Sequence, residues 1–461
     1  MSSMFNFFKL LFILFPLSLF SQDSIFFKHK ITEGVTPKSI VHSGDGLFAA
    51  QNMMYKHTVT FYDRNYRNIS TVHDDVDLSK YDTSKISMMN WGAPVEGTFS
   101  DKGKYYWITN YQMNGGNYNK PGCDLCSGKN YDKSYVYKIN TWTYKVEKAV
   151  EVGSVPKFIA ANDLLKIVVV SNWTSGDVTL IDSYTNKVLK QVSVGKFPRG
   201  IAVSPTKKKI YVSLMGERRI AVIDVLTYQV TYIENVGTAL RHLCLDEAKG
   251  LLYVSIQDEK KVAKINLVDN SVTYVEVGKA PRSMTLTADG KFLYVVNYGE
   301  NTFSKIKTDS LKVTNKIKTA ANPIGIAVDE KKGEIWVACY VGEIDIFQDA
   351  SIAKGRAYQK YVSDVLAEQK KMIKIEKKKK IKEENQNIGG ELWYAVAGVF
   401  KDKNNAIRLR DELISKGYSA EIVNGKNGMN QVIYGKGTMD QVMNLMEQIR
   451  KKGGEVWMKR R

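Results

Sequence analysis

Five basic residues along this chain, Lys38, Lys157, Arg199, Arg241 and Arg282, open short apolar runs, each just after a proline or its one substitute, Leu240. After the matching Pro94 and Pro323 stand Val95 and Ile324 instead. Further along the units come Asn52, Asn110, Asn172 and Asn297, followed by Met53, Tyr111, Trp173 and Tyr298, with Tyr340 in the last unit. Cations with amides and aromatic rings around one opening suit an anionic, planar or sugar-like ligand. Both residue types have a second reading. A repeated Asn is often a turn residue bonding its own backbone, and a repeated Arg can brace neighbouring units. Groups for acid–base chemistry are sparse: Glu96 and His242 fall on separate units, without a nucleophile–base pair. No catalytic residue, metal-ligand set or cofactor is expected.

Cysteine chemistry is equally limited. The chain has 4 Cys. Cys244 and Cys339 sit inside strand patterns, as small core residues do. Cys123 and Cys126 form PGCDLCSG within a Gly- and Asn-rich insertion. No His follows the second Cys, which excludes c-type haem attachment. Two ligands alone do not make a zinc site. A local disulfide bracing the insertion is the favoured reading.

The elements that position these residues repeat. The clearest copy, from Val194, reads VGKFPRGIAVSPTKKKIYVSLMGERRIAVIDVLTYQV. The markers are Pro37, Pro94, Pro156, Pro198, Leu240, Pro281 and Pro323, the last five spaced 42, 42, 41 and 42 residues apart. The first two gaps, 57 and 62, are one unit plus an insertion. Four short strands in a repeat of ~40–45 residues describe a β-propeller blade. Seven units predict a seven-bladed ring over 22–350. The seventh unit stops after VGEIDIF without its outer strand, and residues 24–31 precede the first marker without a blade. They are predicted to complete the last blade and close the circle. The strands YVSL, YVSI and YVVN at Tyr211, Tyr253 and Tyr294 make these units resemble the YVTN family of propeller repeats.

At the N-terminus, Lys9 precedes an apolar run, Leu10–Phe20, followed by Ser21. A bilayer crossing needs ~20 residues, so 1–21 reads as a signal peptide and no transmembrane anchor is expected. Export to the periplasm or cell envelope follows, and nucleic acid drops out as a partner. Net charge is +19. From 351 to 461 there are 24 Lys and Arg against 13 Asp and Glu, a surplus that favours anionic wall polymers. Residues 351–390, with four lysines at Lys377–Lys380, read as a basic, partly helical linker.

Residues 391–461 have the order βαββαβ, a ferredoxin-like sheet with helices on one side. Ala406, Leu409 and Leu413 make one helix face, and Val442, Leu445 and Ile449 the other. The run AGVFKDKNNAIRLRDELISKGYSAEIV carries Gly398, Phe400, Gly417 and Tyr418 and resembles the SPOR domain, which binds peptidoglycan glycan strands. The resemblance implies that Tyr394, Val396, Gln431 and Ile433 lie on the sheet face away from the helices. Val396 and Ile433 stand where the family often has polar groups, and Gly437 where a second Phe is expected.

The fold expected is an all-β seven-bladed propeller followed by a small α+β domain. The function expected is an exported, non-enzymatic binding protein whose propeller recognises an envelope ligand or protein while the C-terminal domain holds peptidoglycan. A wall-tethered propeller enzyme of lactonase or lyase type is the alternative.

Overall fold

The computed structural model describes residues 25–82, 85, 87–352, 393–425 and 428–460. The expected signal peptide at 1–21 and nearly all of the expected linker lie outside them. The chain divides into two compact units.

The first unit contains seven four-stranded antiparallel sheets. The third blade shows why the repeat folds this way: its strands are Pro156–Asn162, Ile167–Asn172, Asp177–Asp182 and Val188–Ser193. The second strand, IVVVSN, is buried throughout, whereas the fourth, VLKQVS, exposes every residue but one. Inner strands need apolar residues on both faces because each blade is sandwiched between two others; outer strands meet water and carry lysines. The cores accordingly lie between blades. Trp107, Val150, Ile159 and Val168 share one such layer, and Tyr253, Met284 and Leu293 another.

Glycines admit the closest approach between blades. A Cβ on Gly200 would lie 2.3 Å from Arg241 O, and one on Gly325 would lie 2.9 Å from Ile40 N. The second contact joins the last blade to the first. Backbone pairing closes the ring as well: Ile25–Ile31 pairs antiparallel with Glu343–Asp349, outermost in the sheet that also holds Pro323–Asp329 and Glu334–Cys339. The segment that lacked a blade supplies the missing strand of the last one. A fully buried ion pair, Lys305 Nζ to Asp349 at 2.9 Å, ties the sixth blade to the seventh. Tyr294 donates to the same carboxylate at 2.7 Å.

The second unit has strands Trp393–Phe400, Glu421–Asn424, Asn430–Gly437 and Trp457–Arg460 and helices Lys403–Ser415 and Met439–Lys451. The sheet order is second, third, first, fourth strand. Both helices pack on one face, burying Ala406, Leu413, Val442, Met446 and Ile449 against Ala395, Val432 and Tyr434. Thr438 starts the second helix with a capping box completed by Gln441. Gly398 and Gly435 leave room for the helix leucines: a Cβ there would meet Leu409 and Leu445 at 2.6 and 2.7 Å.

Candidate functional site

A recurring turn builds the channel mouth. The residue before the marker is left-handed at Val155, Phe197, Ala239, Ala280 and Asn322, with φ between 52° and 58°. Its carbonyl accepts the NH of the residue just after the second strand: Trp173 to Val155 at 2.9 Å, Tyr298 to Ala280 at 3.2 Å, Tyr340 to Asn322 at 3.0 Å. Holding a side chain other than glycine at positive φ costs about 1 kcal/mol, so this turn is kept for what it positions. In the third and sixth blades it sets the cation that opens the first strand, Lys157 or Arg282, beside the ring just after the second, Trp173 or Tyr298.

Ring closure brings all five cations together. Lys38, Lys157, Arg199, Arg241 and Arg282 line one cavity of about 420 Å³, with Met53, Tyr111, Trp173, Met215, Tyr340 and Asp124. Below it, Lys38, Glu96, Phe158, His242 and the three arginines narrow the channel to about 10 Å³, the room of a single water. A second cavity of about 400 Å³ opens beyond this neck. The mouth is therefore a cup that narrows at its floor.

The aromatic residues stand beside the cations. Arg282 lies 3.6 Å from the ring centre of Tyr298, Lys157 4.2 Å from that of Tyr111, Lys38 5.6 Å from that of Tyr340, and Arg199 6.0 Å from that of Trp173. Trp173 also stacks on Phe197 at 4.7 Å. These faces hold the protein's own cations through the ring quadrupole, and Tyr111, Trp173 and Tyr340 line the cup as well.

The asparagines are not rim ligands, and that expectation is corrected. Asn52, Asn110, Asn172 and Asn297 are fully buried. Asn172 donates to Asp177 at 2.7 Å and Thr179 at 2.9 Å, and Asn297 to Thr302 and Ser304 at 2.9 Å each. Asn110 donates to Tyr135 O at 3.1 Å. A buried amide must find partners, and these find them on the adjacent strand, where they lock the second strand to the third.

Sequence reasoning missed Asp124. Cys123 and Cys126 are disulfide-bonded, and the loop they close turns back over the mouth. Thr174 donates to Cys123 O at 3.0 Å and Trp173 Nε1 to Asp124 O at 3.1 Å. The Asp124 carboxylate pairs with Lys157 and accepts from Tyr111 at 3.0 Å. The available signal was the position of the insertion, directly after the strand end at Tyr111, on the rim side.

The electrostatics of the cup are strained. Burial lowers Arg199 and, with the neighbouring Arg199 charge, pushes Arg241 well down and Arg282 to about 10. Burial, then Arg199, brings Lys157 to about 8. Asp124 is raised by burial but held below its ordinary value overall by the charge and hydrogen bond of Lys157. In the neck, burial pushes Lys38 down and Glu96 up, each charge offsetting part of the other's shift. Burial and Arg199 bring His242 to about 3, so it is neutral; its Nδ1 accepts from Met284 N at 3.3 Å. Among the described residues, the buried Nε atoms of Arg241 and Arg282 have no hydrogen-bond partner. Among the described residues, no group of His, Cys, Asp and Glu is placed to hold a metal.

In the second unit, the expected open face is corrected. Val396 and Ile433 are fully buried and Gln431 is 3% exposed, although none belongs to the helix-packed core. Burial of these apolar side chains is favourable and removes them as contact residues. Tyr394, half-buried, stays in reach and pairs across the sheet with Lys436 and Lys459. Trp457, 45% exposed and opposite Val396, completes an aromatic and basic patch. Lys436, Trp457 and Lys459 were not singled out from the sequence; strand alternation in the last strand, which sends Met458 to the helices, is the signal that finds them.

Residues 389–460 match the SPOR domain. A SPOR domain implies peptidoglycan binding and cell-wall association. Among solved structures, the chain is similar to one of Kuenenia stuttgartiensis hydrazine synthase, at 15% identity and a TM-score of 0.53, covering 69% of this chain and 97% of that one. It is also similar to a chain of a mitotic checkpoint complex, at 10% identity and a TM-score of 0.56, covering 76% of this chain and 99% of that one. At such identities the likeness speaks for the propeller fold alone. No curated protein matches this sequence.

Proposed function

We propose that the protein is an exported, non-enzymatic binding protein, with a YVTN-type propeller as recognition platform and the SPOR domain as its hold on peptidoglycan. The observation that carries this reading is the SPOR match over 389–460, joined to a propeller whose rim cations are gathered in one cup. The apolar run near the N-terminus supports export, and no helix among the described residues is long and apolar enough to cross a membrane. On the SPOR domain, the contact patch is Tyr394, Lys436, Trp457 and Lys459. An aromatic ring flanked by lysines fits a sugar chain that carries carboxylates.

The test is cosedimentation with purified sacculi. The full chain from residue 22 pellets with them, a chain ending at Ile352 stays in the supernatant, and Trp457→Ala weakens pelleting without unfolding the domain. A full chain that fails to pellet at low ionic strength, where charge attraction is least screened, refutes the wall attachment. Asp at Val396 or Ile433 is unsuitable as a probe, because it places a charge in a buried position.

A further inference from the structure

We propose that the cup at the propeller mouth is a binding site for a compact, multiply charged oxyanion, a polyphosphate or polycarboxylate group, seated on Arg199, Arg241 and Arg282. It rests on the reading of the propeller as a recognition platform but not on the attachment to the wall.

The first argument is charge. Of the five cations in the cup, Lys157 has its own counter-ion in Asp124, and Lys38 shares the field of Glu96. None of the three arginines has an ion pair among the described residues: Glu96 and Asp124 reach Arg199, and Asp124 reaches Arg241, only through their field, and the buried Nε atoms of Arg241 and Arg282 lack any acceptor there. Arg199 is only 9% exposed. Buried charges without partners are costly, and a buried donor without an acceptor points to a missing group. Three converging guanidiniums that repel one another are a poor brace.

The second argument is chemistry. Guanidinium forks match the paired oxygens of phosphate and carboxylate. The cup already contains one such oxyanion, the Asp124 carboxylate between Lys157 and Tyr111, supplied by the protein itself. The arginine side of the cup lacks its equivalent. Backing by Tyr298 and Trp173 keeps two of the guanidiniums in place before a ligand arrives, which lowers the entropy cost of binding.

The third argument is shape. The neck of about 10 Å³, room for about one water, separates the cup from the cavity beyond it. The cup of about 420 Å³ is within the range of small-ligand pockets. A compact group or the charged end of a molecule fits.

Titration calorimetry on the full chain from residue 22, at low salt and without sacculi, tests the site with pyrophosphate, citrate and acetate as probes. Pyrophosphate or citrate binds one to one and more tightly than acetate, and whichever binds more tightly identifies the phosphate or the carboxylate form. Arg241→Gln weakens that binding at least about tenfold, the loss of one charge-assisted hydrogen-bonding group. Arg282→Lys, which keeps the charge and removes the fork, weakens it by less. Asp124→Asn strengthens it by freeing Lys157. If neither polyanion binds better than acetate, or if both arginine variants bind as the unaltered chain does, the proposal is overturned. Sacculus binding by the same preparations then shows whether the wall-attachment reading stands without it.

Discussion

Removing the Arg282 charge should stabilise the ligand-free propeller, against the usual direction of a substitution at a partly buried site. Burial and the nearby Arg199 lower this group from 12.5 to about 10. At 1.36 kcal/mol per pH unit, the folded state disfavours the charged form by about 3 kcal/mol, reduced to about 2 kcal/mol by the residue's partial exposure. Arg282→Met relieves that cost. It also removes the stack on Tyr298 at 3.6 Å, worth about 1 kcal/mol, part of which the thioether restores against the ring. The net expectation is a gain of about 1 kcal/mol, or roughly 2 °C in the propeller's melting temperature. For a cation with a depressed folded value, the unfolded chain binds more protons only between the two values. Between pH 6 and 9 Arg282 is charged in both states, so the gain should be flat across that range. Differential scanning calorimetry of the full chain measures it. With saturating pyrophosphate the order should reverse, the unaltered chain melting higher because only it holds the anion fully. If Arg282→Met melts several degrees lower without any ligand, the guanidinium is a brace between blades and the reasoning about unpaired charge is wrong.

Three further outcomes follow from the geometry. Gly200→Ala should cost about 2–4 kcal/mol, because its Cβ would meet backbone at Arg241 and His242 on the neighbouring inner strand; an unchanged urea midpoint would show that the inner strands can slide. Asp349→Asn should cost about 3–5 kcal/mol, since it leaves the fully buried Lys305 charge unpaired at the join of the last two blades; urea unfolding reads the loss, and an effect below 1 kcal/mol would contradict it. Lys157, lowered from 10.5 to about 8 by burial, binds fewer protons folded than unfolded between those values. Stability should therefore rise with pH from about 8 to 10.5, by up to about 3 kcal/mol. The rise should be missing from Lys157→Met, so identical pH profiles for the two chains would count against it.

Much of the architecture is local and so was legible in the chain. The 41- and 42-residue spacings count the blades. The apolar runs mark the inner strands, and the register of Lys38, Lys157, Arg199, Arg241 and Arg282 behind their markers places five cations on one rim. Even the closure was readable, from a last unit lacking one strand and a first segment lacking a blade. These features follow from strand periodicity and turn chemistry, which act over a few residues. What each rim residue does was settled only when the blades packed. The asparagines turn inward because an amide at that depth needs partners on the next strand. Tyr298 lies by Arg282 of its own blade, whereas Tyr111, Trp173 and Tyr340 meet Lys157, Arg199 and Lys38 because adjacent blades bring them within 6 Å. Asp124 reaches Lys157 across 33 residues of sequence, through an inserted loop that carries no repeat pattern. On the SPOR domain, the family resemblance assigned Val396 and Ile433 to the face away from the helices, but their burial depends on the packed structure. Periodicity tells which way a side chain points; only the distances and burial set by contacts far apart in sequence tell what it meets there.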